Sequence, residues 1–210
     1  AIGLGSPTFL GATPELLVKL ENGKVTATSL AGSSARGKTD SQDMRFEAKL
    51  LSKEKDLREH AHVVDAIKTS LGNLCATIDW DQKPSIVKLE SVQHLITTFR
   101  ATTDPHRHLL ELAELLHPTP AVGGTPQNHA LAAIRLLEQW DRGWYGGAVG
   151  RLDQSGNGEL GIAIRSGLVK NKRALLFAGA CIVDGSSPQD EWDETELKFK
   201  PLLHALCELD

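Results

Sequence analysis

The sequence predicts an α+β fold, with helices packed on mostly antiparallel sheets. Three observations carry this expectation. Asn22-Gly23 separates two β-rich runs, a strong hairpin signal. Further strand-like runs downstream are joined by short turns, which only antiparallel neighbours allow. Helical stretches are mixed among the strands without the regular βαβ alternation of a parallel sheet. The 210 residues, 40% of them hydrophobic, suffice for one large domain or two small ones. No internal repeat or disordered linker interrupts them.

Each element follows from its local chemistry. "ELLVKL" (15–20) and "KVTATSL" (24–30) flank Asn22-Gly23, which suits a type I′ turn. "AGSSARGKTD" (31–40) is small and polar and is predicted as a loop. A long helix is predicted over 52–71, its apolar stripe being Leu57, Ala61, Val64, Ile67 and Leu71. The β-branched run 85–101 reads as one or two strands, and 106–116 as a helix. The segment 117–126 holds three Pro and two Gly and is predicted as a loop. A helix over 127–140 is expected to turn Ala130, Ala133, Ile134, Leu137 and Trp140 inward. Strands 144–152 and 159–169 are joined by "DQSGNG", and 173–183 pairs back through "KNK". A last helix starts at Pro188 with Ser187 as its N-cap.

Bulk properties exclude several classes. A net charge of −4 provides no basic field for nucleic acid. No apolar run approaches the roughly 20 residues that span a bilayer. The first residues lack the charged start and apolar core of a signal peptide. Cys75, Cys181 and Cys207 form neither a CxxC motif nor an even disulfide set, so a reducing cytoplasm is expected.

Two helices carry acidic faces. Glu191, Glu194 and Lys198 fall on one side of the last helix, and Asp56, Glu59 and Val63 form a stripe on the long one. If the faces met, they would suit Mg²⁺, which takes a few carboxylates plus water and substrate oxygens. Spacing alone favours solvated salt-bridge ladders. Four other features stand out. Glu15 follows a Pro at a strand start. "LAGSSARG" offers backbone N–H groups as an anion nest. Arg165 sits inside an apolar strand, and Gly179 lies mid-strand. Each has a plain reading: an edge carboxylate, a turn, a structural ion pair, a bulge. Together they would suit a small polyanionic acid. His60 and His62, two apart on a helix, point apart and make no metal pair. No catalytic triad is identifiable by spacing.

The segments "TPELL", "LAGSSARG", "LLSKEKDLREHAHVVDAI", "VQHLITTF", "LLHPTPAVGGTP", "RGWYGGAVG", "AIRSGL", "LFAGACIV" and "SSPQDEWDETELK", in this order, resemble the chorismate-utilising enzymes, most closely the isochorismate synthases. The resemblance covers nearly the whole chain. It implies the chorismate-binding (aminodeoxychorismate-synthase-like) fold, Mg²⁺ as cofactor, chorismate as small-molecule substrate and isomerase activity. It implies Glu15 as general acid, with His94 beside the substrate ring. Glu59 and Glu194 resemble the Mg²⁺ ligands, with Glu191 and Asp56 holding metal-bound waters. Arg165, Lys198 and the backbone of Gly179 resemble a clamp on one substrate carboxylate. The backbone at Gly32 and Ser33 resembles contacts to the ring carboxylate, and Tyr145 an aromatic pocket position. Ala121, after Pro120, fits the isochorismate synthase pattern; ammonia-using relatives carry Gly-Thr at these two positions, and salicylate synthases a Thr. The alternatives are a salicylate or anthranilate synthase type, or a fragment that binds Mg²⁺ and chorismate without turnover. The product would feed menaquinone, siderophore or salicylate synthesis.

One departure is large. The family activates water with a lysine on a strand well upstream of "TPE". None of the fourteen residues before Glu15 is Lys. The resemblance therefore implies that residues 1–210 form the C-terminal part of a single chorismate-binding catalytic domain.

Overall fold

The computed structural model describes residues 1–3 and 5–207. Among them, all paired strands are antiparallel, in two sheets. The smaller sheet has four strands in the order β1 (Ile2–Gly3), β2 (Thr8–Gly11), β10 (Ser166–Lys170), β11 (Arg173–Phe177). The larger runs β5 (Thr77–Trp80), β7 (Val92–Thr102), β4 (Lys24–Ala35), β3 (Leu16–Glu21), β9 (Gly158–Ile162), β8 (Ala148–Leu152), with β6 (Ser85–Lys88) also on β7. The β3–β4 hairpin turns at Asn22 and Gly23, both at positive φ, as a type I′ turn demands.

The helices are α1 (Asp40–Leu50), α2 (Glu54–Gly72), α3 (Leu109–Leu116), the single turn α4 (Pro120–Gly123), α5 (Gln127–Leu137) and α6 (Pro188–Cys207). Val63, Ile67 and Leu71 of α2 and Leu109, Leu112 and Leu116 of α3 pack with Leu17, Ala27 and Phe99 of the larger sheet. Burying such side chains contributes about 1.5–3 kcal/mol each. No helix among the described residues is long and apolar enough to cross a membrane.

The structure corrects five expectations. The strand β4 runs on through the predicted loop to Ala35, because it pairs with β7 throughout, with an irregularity between Ala31 and Ser33. The helix α1 arises where none was predicted. It is polar along most of its length, so it carries almost no apolar periodicity. On α2 the buried face is rotated from the predicted stripe: Asp56, Glu59 and His60 are buried, whereas Ala61 is exposed. No residue of α5 is fully buried; Ala133, Leu137 and Trp140 are exposed, while Ala130 and Ile134 are half-buried. The predicted strand 159–169 is broken into β9 and β10, and β11 ends at Phe177, so neither Arg165 nor Gly179 lies within a strand. Arg165 sits at a bend between β9 and β10, and Gly179 lies in the irregular chain just past β11.

Candidate active site

A cleft of about 550 Å³ opens between the two sheets' bends, α4–α5 and α6. Glu15, Gly32, Ser33, Glu59, His94, Ala121, Tyr145, Arg165, Gly179 and Lys198 all line it. Asp56, Glu191 and Glu194 do not line it, but they contact residues that do or that hold its walls. Residues from five elements (β4, α2, β7, α4 and α6) and from four connecting segments are thus gathered in one place.

Local backbone chemistry explains several placements. Glu15 is fixed just before β3: its N–H donates to Thr13 Oγ1 and its carbonyl accepts from Ile162 N–H. Arg165 has φ +50° between β9 and β10. A left-handed arginine costs on the order of 1 kcal/mol or more, and the bend brings its side chain into the cleft. Gly32, at φ +77°, lies so close to α2 that a Cβ there would stand 3.3 Å from Asp56 Cβ. The same approach lets its N–H donate to Glu59 Oε1 at 3.2 Å, so the anion nest read from the sequence holds a carboxylate of the chain itself. Gly179 faces Tyr145, whose hydroxyl would be 2.8 Å from any Cβ there. Tyr145, Phe177 and Trp140 stack into one aromatic wall, with Phe177 centroids 5.4 Å from both neighbours.

Glu15 is 4% exposed. Burial raises its pKa to about 7, and nearby Lys198 and Arg165 only partly offset this. It is therefore a carboxyl poised between acid and base near neutrality. Arg165, also buried, donates from its Nη2 to His94 Nε2 at 3.0 Å. Lys198 donates to the Gly179 carbonyl at 2.8 Å and pairs with Glu194 at 2.6 Å. Two cations and a protonatable acid thus face one small space, an arrangement suited to an acidic ligand that must also receive a proton.

The acidic faces of α2 and α6 come together, and Lys55 of α2 pairs with Glu191 of α6. Burial and the neighbouring Glu194 raise the Glu59 pKa to about 7. Burial disfavours ionised Glu194 as well, yet the Lys198 ammonium and a hydrogen bond from Ser33 hold it below the usual carboxylate range. Lys55, which the sequence reading passed over, stands among the others: its Nζ is 2.6 Å from Glu191, 3.7 Å from Asp56 and 3.8 Å from Glu59. Lys53 approaches Asp56 from the solvent side at 3.5 Å. Among the described residues, no group of three or more His, Cys, Asp or Glu side chains is placed to hold a metal ion.

The donor set nevertheless fits a hard divalent cation. It is all carboxylate oxygen, as Mg²⁺ prefers. Four acids (Asp56, Glu59, Glu191, Glu194) face three ammonium groups (Lys53, Lys55, Lys198), leaving one negative charge uncompensated when all four ionise. The buried Glu191 Oε2 has no hydrogen-bond partner. The sequence could not tell whether these faces are solvated; Asp56, Glu59 and Glu191 are buried.

Two further cleft residues escaped the sequence reading. Arg142 grips Glu138 through two hydrogen bonds and donates to the Val122 carbonyl, tying α4 and α5 to the loop of Tyr145. Cys181 lines the cleft with its thiol pushed up to about 12 by burial and the carboxylates nearby, which disfavours the thiolate. The Glu138–Arg142 pair has the four-residue spacing of a local ion pair, but the reach of Arg142 to Val122 and the place of Cys181 in the cleft depend on the fold. The three cysteines are free, as an odd, widely spaced set predicts.

The family model described as chorismate binding enzyme matches residues 1–207. Isochorismate synthase MenF of Bacillus subtilis (strain 168) is 42% identical over 98% of this chain and 44% of its own length. Isochorismate synthase DhbC of the same organism is 44% identical over 95% of this chain and 50% of its own length. The solved structure of MenF, the menaquinone-specific isochorismate synthase from Escherichia coli, superposes with a TM-score of 0.86 at 31% identity, over 96% of this chain and 46% of that one. The chain spans about half the length of these relatives.

Proposed function

The chain belongs to the chorismate-binding enzymes, and from that premise we propose that its cleft binds Mg²⁺ and chorismate and supplies the acid of an isochorismate synthase. One observation carries the reading. The buried Glu15, which stays largely protonated up to about pH 7, opens onto the same cleft as the two cations Arg165 and Lys198.

Chorismate is a dicarboxylate with a ring hydroxyl at C4. In the reaction, water adds at C2, the double bonds shift, and the C4 hydroxyl leaves as water. Hydroxide is a poor leaving group, so the departing oxygen needs a proton, which Glu15 gives. Arg165 holds one substrate carboxylate through parallel hydrogen bonds, with Lys198 beside it. Gly32 and Ser33 present backbone to the ring carboxylate, Tyr145 covers the ring, and His94 stands beside it as a neutral imidazole. Glu59 and Glu194, backed by Asp56 and Glu191, would hold Mg²⁺, which supplies charge neutralisation and Lewis-acid polarisation of the ring carboxylate. The proton of the attacking water is a separate matter. Lys198, already paired with Glu194, is the one lysine lining the cleft among the described residues, and Lys19 is tied to Glu21 outside it. The base is therefore proposed to come from the upstream lysine strand of the family.

Pro120-Ala121 favours water over ammonia and isomerisation over pyruvate loss. The product would serve menaquinone, siderophore or salicylate synthesis in the cytoplasm, where the free thiols stay reduced. The test is product analysis. A form extended upstream to include the lysine strand, given chorismate and Mg²⁺, should yield isochorismate by chromatography. Anthranilate with added ammonium, or salicylate with pyruvate, would replace this reading with one of its alternatives.

A further inference from the structure

Three polar contacts in the cleft share a direction. A guanidinium has donors only, so in the 3.0 Å contact between Arg165 Nη2 and His94 Nε2 the imidazole nitrogen must accept. A neutral imidazole that accepts at Nε2 carries its proton on Nδ1. That nitrogen lies 3.0 Å from Ser33 Oγ, so the hydroxyl accepts there. The Ser33 O–H is then free to donate towards the Glu194 carboxylate, whose ionised form it favours. Beyond Glu194 stands Lys198, which reaches the Gly179 carbonyl. Reversing any link would set two donors or two acceptors against each other.

We infer that Ser33 is a positioning residue: its hydroxyl fixes His94 in the Nδ1–H tautomer, and the relay Arg165–His94–Ser33–Glu194 couples the substrate clamp to the cation-binding carboxylates.

The surroundings support this. His94 is 4% exposed, so burial limits the access of water to its nitrogens. Burial and the adjacent Arg165 hold it far below its ordinary pKa, to about 3, so it stays neutral and cannot donate from both nitrogens. Ser33 sits at the irregular step of β4, opposite His94 of β7. The bend at Gly32 therefore presents the Ser33 hydroxyl to His94 and Glu194 at once. When an acid draws on Arg165, the guanidinium must keep or release His94 Nε2. When a cation draws on Glu194, the carboxylate must keep or release Ser33. Two such ends of one hydrogen-bonded chain influence each other's occupancy reciprocally.

The coupling rests on the proposed ligands, but the tautomer does not, and the experiment separates them. In ¹⁵N-histidine-labelled protein without ligand, two-bond ¹H–¹⁵N spectra should report His94 as Nδ1–H, its signals identified by their loss in His94→Gln. Ser33→Ala should mix or invert the tautomer, and Ser33→Thr, which keeps the hydroxyl, should restore it. An unchanged Nδ1–H pattern in Ser33→Ala, with a native circular dichroism spectrum, overturns the role of Ser33. Calorimetric titration then reads the second arm: Mg²⁺ should tighten chorismate binding about 5–150-fold in the native chain. That factor should fall towards one in Ser33→Ala and recover in Ser33→Thr. An intact factor in Ser33→Ala overturns the coupling. If the native chain binds no chorismate, the proposed function fails while the tautomer result still decides the relay.

Discussion

The Lys198 ammonium lies 2.6 Å from the Glu194 carboxylate, one helical turn earlier on α6, and 2.8 Å from the Gly179 carbonyl. One cation thus ties the substrate side of the cleft to its acidic side. Removing it should affect both. Lys198→Met in the upstream-extended enzyme is expected to raise KM for chorismate about 10–100-fold, the loss of one or two charged hydrogen bonds. Mg²⁺ affinity should change as well, because Glu194 loses its partner. A KM unchanged within twofold would place Lys198 outside substrate binding.

Glu15 gives a pH prediction with a definite sign. If Glu15 is the general acid it must be protonated, and turnover should then fall as pH rises through about 7. Glu15→Gln should keep substrate affinity and lose about 10²–10⁴-fold in rate. Stability follows the same proton. The folded state binds it more tightly than the unfolded chain, whose value is near 4.5. The native chain should therefore lose stability from Glu15 as pH rises from about 4.5 to about 7. Glu15→Gln removes the cost of a buried carboxylate, so its Tm should exceed the native value at pH 8 and not at pH 4. Equal Tm differences at both pH values would show that Glu15 titrates normally.

Much of this was legible in the sequence, and the misses have physical reasons. The Asn22-Gly23 hairpin, the Ser187–Pro188 helix start and the antiparallel class follow from local chemistry, and the structure has all three. The acidic faces of α2 and α6 were visible, but not their burial, because 3.6 periodicity gives the same stripe whether it meets solvent or another helix. Arg165 read as a charge inside a strand; its left-handed φ depends on β10 pairing with β2, a contact between residues far apart in sequence. The α5 stripe read as core. It lines an open cleft instead and leaves Leu136, Leu137 and Trp140 exposed. Lys55 looked like one more charge in a charged run, and only the fold places it among three acids.

Arg165 should tolerate no close substitute. Lysine keeps the charge but loses the bidentate fork and the donor to His94 Nε2. Arg165→Lys is expected to bind chorismate about tenfold more weakly, and Arg165→Ala about 100-fold or more, by fluorescence titration. Equal affinities for the two variants would mean that charge alone matters there.

Leu136, Leu137, Trp140, Trp144, Ile182 and Trp192 are exposed, and Leu137, Trp140 and Ile182 line the cleft. The 210-residue chain is expected to self-associate with rising concentration. Sedimentation velocity across a hundredfold concentration range should show the shift, and Leu136→Lys with Leu137→Lys should reduce it. A single monomeric species throughout would contradict the expectation.

The most direct measurement is calorimetric titration of chorismate into the purified chain at pH 7, with and without Mg²⁺, beside Arg165→Ala and Glu194→Gln. If the cleft is a Mg²⁺-dependent chorismate site, the native chain should bind one equivalent, more tightly with Mg²⁺ than without it. Arg165→Ala should bind weakly under both conditions, and Glu194→Gln should lose the Mg²⁺ dependence. Binding that ignores Mg²⁺ and persists in both variants would place chorismate elsewhere and contradict the site described.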